Sequence, residues 1–313
     1  MRNFVIIPDS SCDLPKELRE RFGISDYLHG AICMPDGTER AADLDWGFLS
    51  PEEFYRSMKG RKVRYKTATP PLSELGKTFE KYLSQGTDVL SISLSSGLSA
   101  SYQNTELVAR DLRKKYPERK LLCVDSLRYS TSLALLVILA CQKRDEGVSI
   151  EETAAYLEQT RHMLHQAGPM DDLFFLAKTG RISNFKAFFG SLVGVNPMAD
   201  VNRQGLSEVL AKFKGKRTAF EATLRYMEKT IVEPEKQLIF VAHSDREQAA
   251  NLLAQQIRDK FHPKELIINH VGMSCGASIG PGLCAAFYLG TPVSEGLTKE
   301  KEIMASIAAD LAK

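Results

Sequence analysis

Short apolar runs rich in β-branched residues alternate along this chain with longer segments of helical periodicity, a pattern that selects α/β architecture. Phe4 to Ile7 reads as a buried strand and Lys62 to Lys66 as another, with Val89 to Leu94 and Lys120 to Val124 following. Between the last two, Leu98, Tyr102, Val108, Ala109, Leu112 and Tyr116 fall on one face of a helix. Ser130 to Asp145 and Ile150 to Gln166 read as two further helices, so the first half is expected to be a parallel sheet wrapped by helices.

The character changes near Gly168-Pro169. A short strand is expected over Leu173 to Leu176, then a Phe-rich helix around Phe185, Phe188 and Phe189. A hairpin follows, with strands over Pro197 to Val201 and Leu206 to Lys212. Its turn, Asn202-Arg203-Gln204-Gly205, puts a glycine where positive φ is needed. Thr218 to Lys229 and Glu247 to Phe261 read as helices, Gln237 to Ala242 and Glu265 to Val271 as strands, and Thr298 to Ala312 as an amphipathic helix. A length of 313 residues suits two domains, read here as 1–167 and 168–313. The first is a parallel-sheet α/β domain, and the second an α/β domain with a mixed sheet and an extra C-terminal helix.

Composition removes several function classes. A hydrophobic share of 43% with 26% charged residues is that of an ordinary globular protein, and a net charge of +2 demands neither nucleic acid nor an anionic membrane. The six cysteines are scattered without a C-x-x-C pair, which fits reduced thiols better than disulfides or zinc, and no metal or cofactor is expected. Met1-Arg2-Asn3 runs straight into an apolar strand with no signal-type cleavage site, and the uncharged run Tyr129 to Gln142 falls short of the roughly 18 apolar residues of a membrane span. The chain therefore reads as cytoplasmic, with no integral membrane association.

Three strands end in polar pairs: Asp9-Ser10-Ser11, Ser95-Ser96 and Asp125-Ser126. In an open parallel sheet, ligands bind in the crevice beyond the carboxyl ends of the strands. Ser and Asp also cap helices after strands, and capping suffices for Asp125-Ser126. Around Ser95-Ser96 the added hydroxyls of Ser99, Ser101 and Tyr102 exceed what one cap requires. A helix opening at Ser96 would offer its dipole and free N–H groups to a carboxylate. Thr67 supplies a further hydroxyl, its alternative being a cap for the helix beginning near Pro71-Leu72. Arg181 is a candidate for pairing with a carboxylate or a phosphate, against the commoner surface salt bridge. Phe174, Phe175, Leu176, Phe185, Phe188, Phe189 and Leu192 bracket it as an apolar wall suited to an amphiphile, or as simple core.

Gly272 to Gly282 is rich in small residues, so that backbone can approach a ligand closely and successive N–H groups can form an anion nest. It contains G-x-S-x-G at Gly272 to Gly276, the basis of an alternative reading as a serine hydrolase using Ser274 or the Ser95 cluster. The Gly-Pro-Gly that follows argues against the helix such an elbow needs, and no histidine follows Ser274. Nucleotide-binding glycine loops and H-E-x-x-H are absent from the sequence. His162 and His165 read as solvated residues of a charged helix, and His243 as a structural hydrogen-bonder at a strand end. The basic run Lys212, Lys214, Lys216, Arg217 reads as a wet face or a surface for an acidic partner.

Taken in order, these motifs resemble those of the DegV family. Asp9-Ser10-Ser11-Cys12-Asp13-Leu14-Pro15 is similar to the family's opening motif, and Lys66-Thr67-Ala68-Thr69-Pro70 to its T-S-Q-P motif with Ala and Thr replacing Ser and Gln. Ser95-Ser96-Gly97-Leu98-Ser99-Ala100-Ser101-Tyr102-Gln103 resembles S-S-x-L-S-G-T-Y-Q. Asp125-Ser126, Lys178-Thr179-Gly180-Arg181-Ile182-Ser183 and Gly280-Pro281-Gly282 then match in order, over the chain to about Gly290.

The resemblance implies two α/β domains that hold a long-chain fatty acid at an interdomain cleft, the tail entering the second domain. It implies a carrier without catalysis of its own that presents the carboxylate to a fatty acid kinase subunit, with transient membrane contact for loading. Carried onto this sequence, Thr67, Ser95, Ser96, Ser278 and Gly280 would address the carboxylate and Arg181 the head group or the partner. Phe174, Leu176, Phe188, Phe189, Leu192 and Ile279 would line the tail pocket. Ser278 stands where the family commonly has histidine in H-x-G-P-G. A hydroxyl donates one hydrogen bond but carries no positive charge, which leaves open lipid binding uncoupled from the kinase. The tail after Gly290 is longer than usual and is expected to cover the pocket or meet another subunit.

Overall fold

A computed structural model describes residues 4–171, 173–182 and 194–313. The chain divides into two compact units, one of 1–48, 64–161 and 272–274, the other of 49–63, 162–271 and 275–313.

In the first unit, β1 (Phe4–Pro8) leads to α1 (Lys16–Phe22) and a pair of short strands, β2 (Ala31–Cys33) and β3 (Glu39–Ala41). The chain then contributes α2 (Pro51–Met58) to the other unit. It returns through β4 (Lys66–Ala68), α3 (Leu72–Leu83), β5 (Asp88–Ser93) and α4 (Ser101–Lys115). Next come β6 (Leu121–Asp125), α5 (Ser130–Asp145) and α6 (Ile150–Thr160).

The strands β1, β5 and β6 form a parallel sheet with β5 central. One face takes α3 and α4, because Leu75, Phe79 and Leu83 recur every fourth residue and meet Ile7, Val89, Ala109, Leu112 and Leu121. In α5 nearly every residue from Ser130 to Cys141 is buried, so the long uncharged run is a core helix. No helix among the described residues is long and apolar enough to cross a membrane. The strand expected over Lys62 to Lys66 is displaced to β4, which pairs antiparallel with β2 in a separate small sheet of order β3-β2-β4. That sheet lies close at Gly30, where a Cβ would sit 2.7 Å from the Ala68 carbonyl oxygen.

The second unit holds β7 (Leu164–Ala167), α7 (Phe174–Thr179), β8 (Val195–Val201), β9 (Ser207–Lys214) and α8 (Lys216–Thr230). It continues with β10 (Leu238–His243), α9 (Glu247–Phe261), β11 (Glu265–His270) and α10 (Met273–Ile279), the last of which starts in the first unit. Its last elements are β12 (Cys284–Leu289) and α11 (Thr298–Leu311).

Its mixed sheet has the order β11-β10-β12-β7, with β10 and β11 parallel and β12 antiparallel to both its neighbours. β8 and β9 form the expected hairpin. In its turn the Asn202 carboxamide oxygen accepts from the Gln204 and Leu206 N–H groups, with Gly205 at φ 75°. Ile239, Val241, Ala286 and Tyr288 from the sheet pack with residues of α8, α9 and α11.

Three further expectations are corrected. Leu173 to Leu176 is not a strand: Phe174–Thr179 is helical and closes on Gly180 at φ 70°. The helix from Ile150 stops at Thr160, and Leu164–Ala167 forms an edge strand against β12. His165 is consequently buried, with Nδ1 2.7 Å from Asp200 and Nε2 2.8 Å from the Thr291 carbonyl. The C-terminal helix buries Met304 and Ile307 in the second unit's own core, which accounts for its apolar face. The Phe-rich helix around Phe185, Phe188 and Phe189, with Leu192, lies outside the described residues.

Candidate functional site

The carboxyl ends of β1, β5 and β6 lie at one edge of the parallel sheet, because their registers align Pro8 with Ile92 and Ser93 with Asp125. Most of the polar side chains there bind the loops themselves. Buried Asp9 accepts from the Leu94 N–H at 2.7 Å, from the Ser11 N–H at 2.9 Å and from the Ser11 hydroxyl. Ser10 Oγ accepts from the Gly30 N–H, and Asp125 accepts from the N–H groups of Ser96 and Leu127. The Ser95 hydroxyl accepts from the Gly97 N–H at 3.2 Å, while its own N–H donates to the Arg128 carbonyl at 2.9 Å.

No helix opens at Ser96; α4 starts at Ser101, so the helix-dipole argument does not apply to Ser95 and Ser96. Ser99 and Ser101 bond each other at that helix start, and Thr105 bonds the Ser101 carbonyl. What remains are two hydroxyls without a hydrogen bond to any described residue, that of half-buried Ser96 and that of exposed Thr67 on β4. Thr69, two residues on, instead accepts from the Asn104 carboxamide of α4.

In the second unit, half-buried Ser278 lies in the last turn of α10, and its hydroxyl likewise has no hydrogen bond to a described residue. Ile279 beside it is buried. Gly280 at φ 76° ends the helix, and a Cβ there would lie 2.2 Å from the Phe175 ring. That close approach is the reason for glycine at this point. The amides of this loop are already bonded: Gly280 N–H to the Gly276 carbonyl at 2.7 Å, Gly282 N–H to the Ser244 carbonyl at 2.8 Å, and Leu283 N–H to Ser244 Oγ at 2.8 Å. The loop therefore offers shape rather than the nest of N–H groups that its composition suggests.

The loop borders a cleft of about 520 Å³ lined by residues that include Lys59, Arg61, Asp171, Phe175, Pro281 and Gly282. Leu176 is buried, and half-buried Phe174 takes the Arg61 guanidinium 4.8 Å from its ring centroid. Arg181 is exposed and folds back so that its guanidinium donates to the Thr179 carbonyl. Phe188, Phe189 and Leu192 lie outside the described residues.

Three further features of these regions come from the structure. Arg128 is fully buried in the turn after β6, donating to the Leu127 carbonyl. Asp13, at φ 49°, accepts from the Ser130 hydroxyl and the Gly272 N–H, and burial pushes its carboxyl up to about 7. His243 and His270, at the ends of parallel β10 and β11, have ring centroids 4.3 Å apart and line a crevice of about 380 Å³ with Glu52, Tyr55, Asp245 and Glu247. Burial lowers His243 to about 4, its neighbour His270 adding to the effect, and its Nδ1 accepts from the Arg246 N–H at 3.3 Å, the structural role expected of it. Spacing offered no signal for this pair, since the two residues meet only through strand pairing.

Contrary to expectation the G-x-S-x-G segment is itself helical after its first glycine, because the helix Met273–Ile279 begins before Ser274. The histidine pair lines a crevice that does not include Ser274, so the hydrolase reading gains no base from it. Among the described residues no cluster of three or more ligating side chains could hold a metal ion.

A family model described as an uncharacterised protein of the DegV family matches residues 3–291. A DegV domain-containing protein of Clostridium perfringens is 35% identical over 290 residues, covering 93% of this chain and 98% of that protein. Among solved structures, one described as showing fatty acid binding of a DegV family protein from Thermus thermophilus superposes with a TM-score of 0.82 at 25% identity, over 92% of this chain and 100% of that one. DegV of Bacillus subtilis, described as a fatty acid binding protein, superposes with a TM-score of 0.79 at 22% identity, over 93% and 100% of the respective chains.

Proposed function

Because the chain belongs to the DegV family, we propose that it binds a long-chain fatty acid and presents the carboxylate to a separate kinase subunit that forms the acyl-phosphate. In this reading the chain is a carrier with no catalysis of its own. The hydroxyls of Thr67, Ser95, Ser96 and Ser278 address the carboxylate, and Gly280 lets the chain pass close to it. Arg181 serves the head group or the partner. Phe174, Leu176 and Ile279, with Phe188, Phe189 and Leu192, line the tail.

The observation that carries the reading is a contrast among hydroxyls. Those of Ser10, Ser11, Ser99 and Ser101 are tied into the fold, whereas those of Thr67, Ser96 and Ser278, all in family motifs, make no hydrogen bond to a described residue. Hydroxyls that the fold leaves unused are available to a ligand. The descriptions of the Thermus thermophilus and Bacillus subtilis relatives add the ligand class.

Burying each methylene of a tail is worth about 0.8 kcal/mol, so chain length dominates affinity and the hydroxyls set orientation. Replacing Ser95 and Ser96 together with Ala is expected to weaken oleate binding roughly tenfold and to leave methyl oleate nearly unchanged. Equal losses for the two ligands, measured by calorimetry or displacement of a fluorescent acid, would remove the carboxylate assignment.

A further inference from the structure

The loop after α10 is clasped from two sides by residues that no motif singles out. On one side, Ser244 in the turn between β10 and α9 is fully buried. It bonds the loop three times: its carbonyl accepts from Gly282 N–H, its hydroxyl from Leu283 N–H, and its N–H donates to the Leu283 carbonyl at 3.0 Å. On the other side, the Asp171 N–H donates to the Gly282 carbonyl at 3.1 Å. Gly282 sits at φ 110°, and a Cβ there would meet Asp171 Cβ at 2.7 Å, so the Asp171 side chain packs directly on the Gly282 backbone.

One side chain joins the two sides. Arg246 Nη1 lies 2.5 Å from Asp171 Oδ1 and 3.3 Å from the Gly282 carbonyl oxygen, donating to both. The Arg246 side chain is only 10% exposed, whereas Asp171 is 41% exposed and has the Lys216 ammonium 3.8 Å away, so the guanidinium is the desolvated member of the pair. Removing Asp171 therefore takes the counter-charge from a guanidinium that is withdrawn from water.

We infer that Arg246 is a positioning residue for the acyl head group, which it serves through Gly282 and Asp171 by fixing the loop that follows Ser278 and Gly280. The inference rests on the fatty-acid reading for its ligand and on geometry alone for the latch. Hydroxyl recognition of a carboxylate depends on donors placed to within a fraction of an ångström, and Ser278 lies at the end of a helix whose last turn is closed by the Gly280 N–H. Loosening Gly282 frees that end. Arg246 itself need not touch the ligand.

The experiment uses the full chain, with Arg246→Ala, Arg246→Lys and Asp171→Asn compared with wild type in two measurements. Amide hydrogen exchange at Gly282 and Leu283 without ligand tests the latch. Affinity for oleate against methyl oleate tests its consequence. Arg246→Ala is expected to speed exchange at these two amides about tenfold or more and to weaken oleate about tenfold, with methyl oleate changed by less than about twofold. Arg246→Lys should recover part of both effects, and Asp171→Asn should resemble Arg246→Ala.

Unchanged exchange at Gly282 and Leu283 in the variants overturns the latch whatever the ligand data show. Faster exchange with equal losses for oleate and methyl oleate overturns the head-group role and leaves a purely structural pair. A wild-type protein that binds neither ligand overturns the fatty-acid reading and the head-group role with it, while the exchange data still decide the latch. Should Arg246→Ala fail to fold, the Lys and Asn variants supply the same two readouts.

Discussion

The two units place polar residues at the same topological position, the carboxyl ends of adjacent parallel strands, and equip them with opposite chemistry. In the first, Asp9 and Asp125 hold the loops after β5 and β6 through backbone N–H groups. In the second, neutral imidazoles of His243 and His270 stand beside each other at the ends of β10 and β11. Desolvation acts on both and favours the uncharged form, so it raises the acids Asp9 and Asp13 and lowers the bases His243 and His270. Carboxylates at strand ends thus act as caps for loops, whereas the imidazole pair borders a crevice, with His243 accepting from the Arg246 N–H.

The largest test of that contrast is removal of one anchor from each side. Asp9→Ala would leave the Leu94 and Ser11 N–H groups and the Ser11 hydroxyl without their acceptor, and each orphaned donor costs about 1–3 kcal/mol. The first unit is expected to lose roughly 4 kcal/mol, read from denaturant unfolding followed by Trp46, the single tryptophan, which lies in that unit. His243→Ala would orphan one donor, the Arg246 N–H, and is expected to cost the second unit clearly less. Comparable losses would erase the distinction between loop anchor and crevice wall.

Acidity sharpens the comparison. Asp13 has a folded pKa of about 7 against an ordinary 3.8, so it binds more protons folded than unfolded across that interval. Its contribution is present in full below pH 3.8 and is lost as pH rises to 7. His243, lowered from 6.5 to about 4, contributes in full above 6.5 and loses it as pH falls through 4. The first unit should therefore weaken between pH 4.5 and 7, by roughly 2 kcal/mol, while the second strengthens. Trp46 fluorescence reports the one, and hydrogen exchange in β10 the other. Asp13→Asn keeps an oxygen for Ser130 and Gly272 and should flatten the first slope, with a remainder from Asp9, whose carboxyl is raised in the same direction. A slope unchanged by Asp13→Asn would assign it elsewhere.

The same physics explains what was legible beforehand. Ser130–Asp145 and Glu247–Phe261 were readable to the residue, because continuous apolar character or helical spacing runs their whole length. Leu173 to Leu176 misled because four apolar residues fit a strand or one helical turn equally well, and the deciding glycine, Gly180, lies beyond the run. β7 was hidden because the periodicity of α6 continues past Thr160 and its partner β12 is more than a hundred residues away. Within the candidate site, the motif hydroxyls were legible as residue types. Which of them the fold would engage was not, since that depends on contacts such as Asp9 to Leu94 that span the first unit.

The smallest test uses a device that the units share. α2 of the second unit and α6 of the first both open with a capping box: Ser50 with Glu53 and Ser149 with Glu152, each serine hydroxyl accepting from the glutamate N–H at 3.2 Å. The S-x-x-E spacing is the signal by which α2, unread in the sequence, could have been found. Ser149→Ala and Ser50→Ala are each expected to cost about 1 kcal/mol, the latter somewhat less because Pro51 already fixes the first helical φ. Ser149→Ala should shift the Trp46 transition, while Ser50→Ala should act on exchange in α2 and leave Trp46 almost untouched. If both substitutions shift Trp46 equally, the units unfold as one cooperative body, and the opposing pH slopes argued above would merge into a single curve.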